Sequence, residues 1–432
     1  VKIAVFEPFP RMCGVTKWTF EVVHGFRTLG HHADVVSASK SGRKRVTEKK
    51  RRFDGSLSGG WHWWPEAPDV QAKWTDAVDV LNTYDLVVVN EPKNATCDRD
   101  AKKLKLEMPE YVSVLRCITV PWTTILHAPQ YGEAAAPFLP QVMEAPSFSG
   151  FAIEHQPGSY ASGEWAFAGH IKKLQPWPWL PYRRRHGTSG DTGQGVQREW
   201  VIGLGGRFVT NKGHHMFAWL ADRFPPHYKA RLFGSESGGV GPASSYEVFE
   251  ALVDHHGWRG ARVGESEPDQ RGNRGDKLHC WPWWLSKVDD LGNTHVLEYV
   301  GGYDQPLVCW AGCAIAVNMT SKKFAVGLEY TSLEAMDAGC AIVLPAYSLE
   351  RTGSEQYQTH VMRAFKAPLT IGKTGVRTHL ANPEEVEDVV DTIARADKAI
   401  RHGEHDPTVN RAAIDAYHDP QHVARAILEG MQ

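Results

Sequence analysis

The sequence predicts an α/β protein of two similar domains, each a parallel sheet flanked by helices, facing each other across a cleft. Three observations predict it. The chain has 432 residues, 42% of them hydrophobic, which is too long for one ordinary core and enough for two. It opens on a strand-helix-strand unit, and the same grammar restarts near residue 200.

In the first unit "VKIAVFEPF" reads as a buried strand and "PRMCGVTK" as the turn after it. In "WTFEVVHGFRTLGHH" the apolar Trp18, Val22, Phe26 and Leu29 recur at helical spacing, and "ADVVSAS" is the next strand. Strand, helix and strand in that order imply a parallel sheet, so the first half reads as Rossmann-like. "YDLVVVNEP", "RCITVPWTTILHAPQ" and "FAIEHQ" are further apolar runs with polar ends. Open parallel sheets bind ligands beyond the carboxyl ends of their strands, which marks Asn90, Glu91, His127 and His155.

From Tyr182 to Glu199 Gly, Ser, Thr and charge replace apolar periodicity, and 187–199 is read as a linker. "WVIGLGGRF", "HHMFAWLADRF" and "KARLFGS" then repeat strand, helix and strand. In "TSLEAMDAG" a helix is expected from about Ser332 to a stop at Gly339, before the strand "CAIVLP". The expected domains are 1–186 and 200–395, with helices over 396–432 that would cross back to the first domain.

The net charge of −2 gives no global attraction to an anionic polymer, so any such affinity must come from a local patch. Seven irregularly spaced cysteines fit neither a disulfide framework nor a zinc signature, and reduced thiols are expected. No apolar segment reads as a signal peptide or a membrane span.

Two motifs carry chemistry. In "GGRFVTNKG" Arg207 lies in a tight strand-to-helix turn and Lys212 near the next helix start, a pattern suited to clamping a diphosphate. In "GLEYTSLEAMDAG" Glu334 is expected in the first helical turn, beside the backbone donors of Tyr330, Thr331 and Ser332, with Glu329 just before it. A carboxylate there would accept from sugar hydroxyls while the amides hold phosphate. The plain alternatives are solvated surface cations and an ordinary capping acid.

Together, "GRF…NKG" and "LEYTSLEAMDAG" resemble the nucleotide-sugar half of the retaining GT-B glycosyltransferases. With "CGVTKWTFE…LGH" added, the pattern is similar to the DNA α-glucosyltransferases of T-even phages. The general branch spaces its two acids eight apart, which would put the first at Val326; the five-residue spacing of Glu329 and Glu334 is the phage-type one. The resemblance implies a UDP-sugar donor, UDP-glucose first, bound by Gly14, Val15, Thr16, Lys17, Arg207, Lys212, Glu329, Tyr330, Thr331 and Glu334. Arg207 and Lys212 would neutralise the leaving diphosphate without an obligatory metal, and His127 would stand beside the reacting sugar. Where that family has an acid after the histidine, this chain has Ala128, so the leaving phosphate itself would take the acceptor proton. The implied acceptor is a 5-hydroxymethylpyrimidine in duplex DNA. The implied setting is a monomer in the cytoplasm of an infected bacterium, shielding phage DNA from restriction.

The residues supply a grip for such a polymer. Lys40 to Arg52 concentrates eight cations, Arg43, Lys44, Arg45, Lys49, Lys50, Arg51 and Arg52 among them, and Arg183, Arg184 and Arg185 add three beside the linker. "GWHWWPE" directly follows the first run, and its tryptophans would stack on a base or wedge into a duplex. "QPWPWLP" and "CWPWWL" are similar, though core packing suits most tryptophans better. The competing functions are a GT-B enzyme with a small-molecule, polysaccharide or lipid-linked acceptor, and a DNA-binding module whose transferase site has decayed.

Overall fold

The computed structural model describes residues 1–7, 14–39, 68–90, 113–126, 144–154, 171–172, 180–184, 200–206, 208, 212–234, 245–262, 282–301, 310, 312–320, 329–345, 379–381 and 385–431. His127, Arg207, Arg185, the basic run from Lys40 to Arg52, the linker 187–199 and "GWHWWPE" lie outside them.

The described strands form two sheets. In the first, β1 (Lys2–Phe6), β2 (His32–Ser39), β3 (Val70–Lys73), β4 (Leu86–Asn90), β5 (Trp122–Leu126), β6 (Phe148–Glu154) and β7 (Ile171–Lys172) lie in the order 3-2-1-4-5-6-7. Every pairing is parallel. Helix α1 (Gly14–Thr28) crosses from β1 to β2, and α2 (Trp74–Leu81) follows β3.

The second sheet contains β8 (Val201–Gly205), β9 (Lys229–Phe233), β10 (Arg259–Arg262), β11 (Trp283–Val288), β12 (Thr294–Tyr299), β13 (Ile315–Val317), β14 (Ala341–Pro345) and β15 (His379–Ala381). Its order is β10-β11-β12-β9-β8-β13-β14-β15. From β12 to β15 it repeats the winding of the first sheet in parallel, and β10 and β11 add an antiparallel edge. Its helices are α3 (His214–Leu220), α4 (Ser245–His255) and α5 (Tyr330–Ala338), followed by α6 (Val386–Arg401), α7 (Pro407–Tyr417) and α8 (Pro420–Met431). Each sheet reverses winding once, between β1 and β4 in the first and between β8 and β13 in the second, and such reversals open a crevice beyond the strand ends.

Two boundaries differ from those read in the sequence. Helix α1 starts at Gly14, so "GVTK" is its first turn. Helix α5 starts at Tyr330, with Glu329 at its N-cap and Gly339 ending it in the left-handed region at φ 86. Glu334 therefore lies one turn inside the helix, not in its first turn.

Helix α8 lies on α1. Val22, Val23 and Phe26 share a core with Val423, Ala424 and Ile427, and that core also takes in Leu333 and Met336 of α5. A Cβ on Gly25 would come 2.1 Å from the Pro420 carbonyl oxygen, which is why glycine stands in the middle of this helix. Gly25→Ala must push α8 off α1, so a loss of about 2–3 kcal/mol is expected in thermal denaturation, against the small gain Ala gives an open helix.

Burial depresses two histidines, His214 to about 3 and His418 to about 4 from an ordinary 6.5. Both are neutral when folded, so the unfolded chain binds more protons between about pH 6.5 and 4, and stability falls as pH drops through that window. His418 alone accounts for on the order of 3 kcal/mol. It joins α7 to α8, donating through Nδ1 to the Leu180 carbonyl at 2.9 Å, while its own carbonyl accepts from the Tyr182 amide. Melting temperatures from pH 7 to 4 are expected to fall less steeply in His418→Gln than in the parent.

Candidate active site

At the carboxyl ends of the paired strands β8 and β13 lies a small cavity of about 10 Å³, with Gly205, Trp310, Asn318, Thr331, Ser332 and Ile342 among its lining residues. Asn318 follows β13, its Oδ1 accepts from the Thr320 amide at 2.9 Å, and its Nδ2 donates to Ser332 Oγ at 3.5 Å, so the strand end is tied to the start of α5.

Glu329 does not cap α5 with its side chain. Its Oε1 accepts instead from Lys212 Nζ and, at 2.7 Å, from Thr320 Oγ1. Lys212 is brought there by Gly213, whose φ of 75 starts α3 and whose missing Cβ would lie 2.6 Å from Met319. One carboxylate thus gathers a cation from the β8–α3 loop and a hydroxyl from the end of β13. The amides of Tyr330 and Thr331 precede the first intrahelical bond of α5 and take no intrahelical partner.

Helix α5 turns its other face, Tyr330, Glu334 and Asp337, to the first domain. Lys17 Nζ meets Glu334 Oε1 at 2.5 Å, with side chains 4% and 2% exposed. The same ammonium lies 4.9 Å from the ring centroid of Tyr182 and 4.7 Å from that of Tyr330. Tyr182 donates to Asp337 at 3.1 Å and Tyr330 to the Pro181 carbonyl at 3.0 Å. Burial, with Asp337 and Glu334 beside Tyr182 and with Glu21 and Glu334 beside Tyr330, holds both phenols above their ordinary value. Thr16 is buried beside Lys17, Gly14 is exposed, and a Cβ there would touch the Tyr330 ring at 3.4 Å. Val15 lies in the same turn, its side chain outside the described residues. The first turn of α1 therefore lies against the start of α5, joining two motifs over 300 residues apart in sequence.

Arg183 and Arg184 are half-buried and held within the chain. The Arg183 amide donates to Glu21 at 3.0 Å and its Nε lies 3.8 Å from the same carboxylate, while Arg184 Nε lies 3.1 Å from Asp415. They tie the crossing segment 180–184 to α1 and α7.

Sequence reading passed over Glu7. It follows β1 at the reversal of the first sheet and is fully buried, accepting from Asn90 at the end of β4 and from Thr19 of α1 at 3.3 Å. The signal that could have found it was an acid ending an apolar strand. Among the described residues no group of three or more His, Cys, Asp and Glu side chains is placed to hold a metal ion, and no helix is long and apolar enough to cross a membrane.

No protein-family model matches the chain, and no curated protein matches it in sequence. Solved structures do. An alpha-glucosyltransferase in complex with UDP and a 13-mer DNA containing an HMU base superposes with a TM-score of 0.60 at 14% identity, over 100% of this chain and 99% of that one. Anabaena HepE in complex with UDP-glucose gives 0.59 at 14% identity over the same shares. The alpha-glucosyltransferase with UDP and a 13-mer DNA carrying a central A:G mismatch gives 0.57, again at 14% identity and the same coverage. At that identity the likeness is one of fold, and it runs the whole length of the chain: the protein has the GT-B fold of two Rossmann-like domains.

Proposed function

We propose that the chain is a retaining glycosyltransferase that moves a hexose, glucose first, from a UDP-sugar to the hydroxyl of a 5-hydroxymethylpyrimidine in duplex DNA, shielding phage DNA from restriction in the infected bacterium. The observation that carries this reading is that Glu329, at the start of α5, gathers Lys212 from the loop after β8 and Thr320 from the segment after β13, with Glu334 one turn on. Strand reversals of this kind take nucleotides, and the full-length structural neighbours hold UDP, UDP-glucose and DNA.

In this reading Lys212 and Arg207 meet the diphosphate, where negative charge accumulates as the bond from sugar C1 to the phosphate oxygen breaks. The amides of Tyr330 and Thr331 add donors at a positive helix end. The acceptor hydroxyl oxygen bonds to C1 on the same face, and its proton passes to the departing phosphate, so no protein base is required beside Ala128. His127 orients the sugar. Glu329 and Glu334 accept from sugar and ribose hydroxyls, and Gly14 leaves room for the donor. The run from Lys40 to Arg52 grips the DNA backbone, and the tryptophans of "GWHWWPE" stack where the target base leaves the helix.

The test is transfer from a panel of UDP-sugars to duplexes containing thymine, 5-hydroxymethylcytosine or 5-hydroxymethyluracil, read by nucleoside mass spectrometry. A hexose mass on a hydroxymethylated base alone establishes the reading and identifies sugar and base. UDP-sugar turnover with no nucleoside gaining mass moves the acceptor to glycans or lipids.

A further inference from the structure

The Lys17 ammonium is enclosed by Glu334, Tyr182 and Tyr330, all buried, and its bond to Glu334 uses Oε1. The other oxygen, Oε2, is also buried and takes no hydrogen bond among the described residues. One oxygen of the carboxylate is held and its twin is bare. Asp337 Oδ1 on the same helix takes no hydrogen bond among the described residues either, but Glu334 stands nearer the N-terminus of α5, and a hydroxyl donor is what a lone carboxylate oxygen accepts.

We propose that Lys17 is a positioning residue for nucleotide recognition: by holding Oε1 it sets the Glu334 carboxylate so that Oε2 receives the hydroxyls of the donor's pentose. This rests on the UDP-sugar reading and deepens it. Lys17 then acts through Glu334 without touching the ligand, because the two rings and the carboxylate occupy its surroundings. Recognition of the pentose, assigned to the second domain by the position of Glu334, depends on a side chain of the first. A donor site completed only where α1 meets α5 makes the nucleotide sense the packing of the two domains.

The experiment is calorimetric titration with UDP and with its 2′,3′-dideoxy analogue, at temperatures well below each variant's melting point. The parent is expected to prefer UDP by roughly 10-fold or more, the worth of a hydrogen bond to a charged group. Lys17→Met is expected to bring that ratio near one, with the loss of affinity falling mainly on UDP and far less on the dideoxy analogue. If Lys17 met the diphosphate, or merely tied the domains together, both nucleotides would weaken equally. A ratio that stays at the parent value therefore overturns the proposal. Lys17→Gln keeps a donor without the charge, should the methionine variant not fold, and an intermediate ratio is expected from it; the parent ratio there overturns the proposal too. A parent that binds both nucleotides equally overturns the contact with Glu334. A parent that binds neither overturns the UDP-sugar reading itself.

Discussion

Lys212→Met is expected to lower turnover of sugar transfer by about 10²–10³-fold, the usual effect of removing one preorganised group facing a developing negative charge. The substitution strips Glu329 of its cation and leaves Thr320 as its neighbour, so the donor KM is expected to rise as well. Arg207→Ala should resemble it. Neither should alter the affinity for duplex DNA measured by fluorescence anisotropy. Charge reversal at Arg43, Lys44 and Arg45 should do the opposite, weakening DNA binding and reducing its salt dependence by about one unit for each phosphate no longer neutralised, with turnover at saturating DNA retained. Equal effects of both sets on both readouts would refute the division of labour between the crevice and the basic run.

The parts of the fold that were legible are those governed by local pattern. Apolar runs with helical stretches between them revealed β1, β2, β4, β8, β9 and β14, because parallel strands buried on both faces leave a continuous hydrophobic signature. The start of α1 was not legible. Gly, Val and Thr are weak helix formers, and what makes Gly14 to Lys17 helical is packing against α5 and the buried bond from Lys17, a tertiary contact that overrides propensity. The antiparallel strand β11 hid within "CWPWWL", where adjacent tryptophans mask alternation: Trp283 is buried against Phe249 and Tyr299, and Trp284 is exposed. Motif residues could be selected one by one, but not paired, since Lys17 and Glu334 are 317 residues apart. For the same reason sequence could not pair Arg183 and Arg184 with acids of the chain. In the fold they face Glu21 and Asp415.

The pairing that sequence could not show has the largest expected effect on stability. Lys17→Met is expected to cost about 3–5 kcal/mol, because it leaves the Glu334 carboxylate buried and uncompensated. Removing the ammonium from the faces of two rings adds to it, at about 0.5–2 kcal/mol each. Glu334→Gln should cost less, since the amide oxygen still accepts from Lys17. The decisive quantity is the coupling between them. If the cost of Lys17→Met comes chiefly from the stranded charge, Lys17→Met with Glu334→Gln will be more stable than Lys17→Met alone, although it carries one more substitution. Thermal denaturation of the four proteins at pH 7 measures this. A double variant as unstable as the sum of the singles would mean that the stranded charge is not the dominant cost and that Lys17 stabilises the junction through its tyrosines. A positive coupling would place a charge pair, desolvated at both ends, where α1 meets α5, so that substitutions separating those helices should weaken nucleotide binding and stability together.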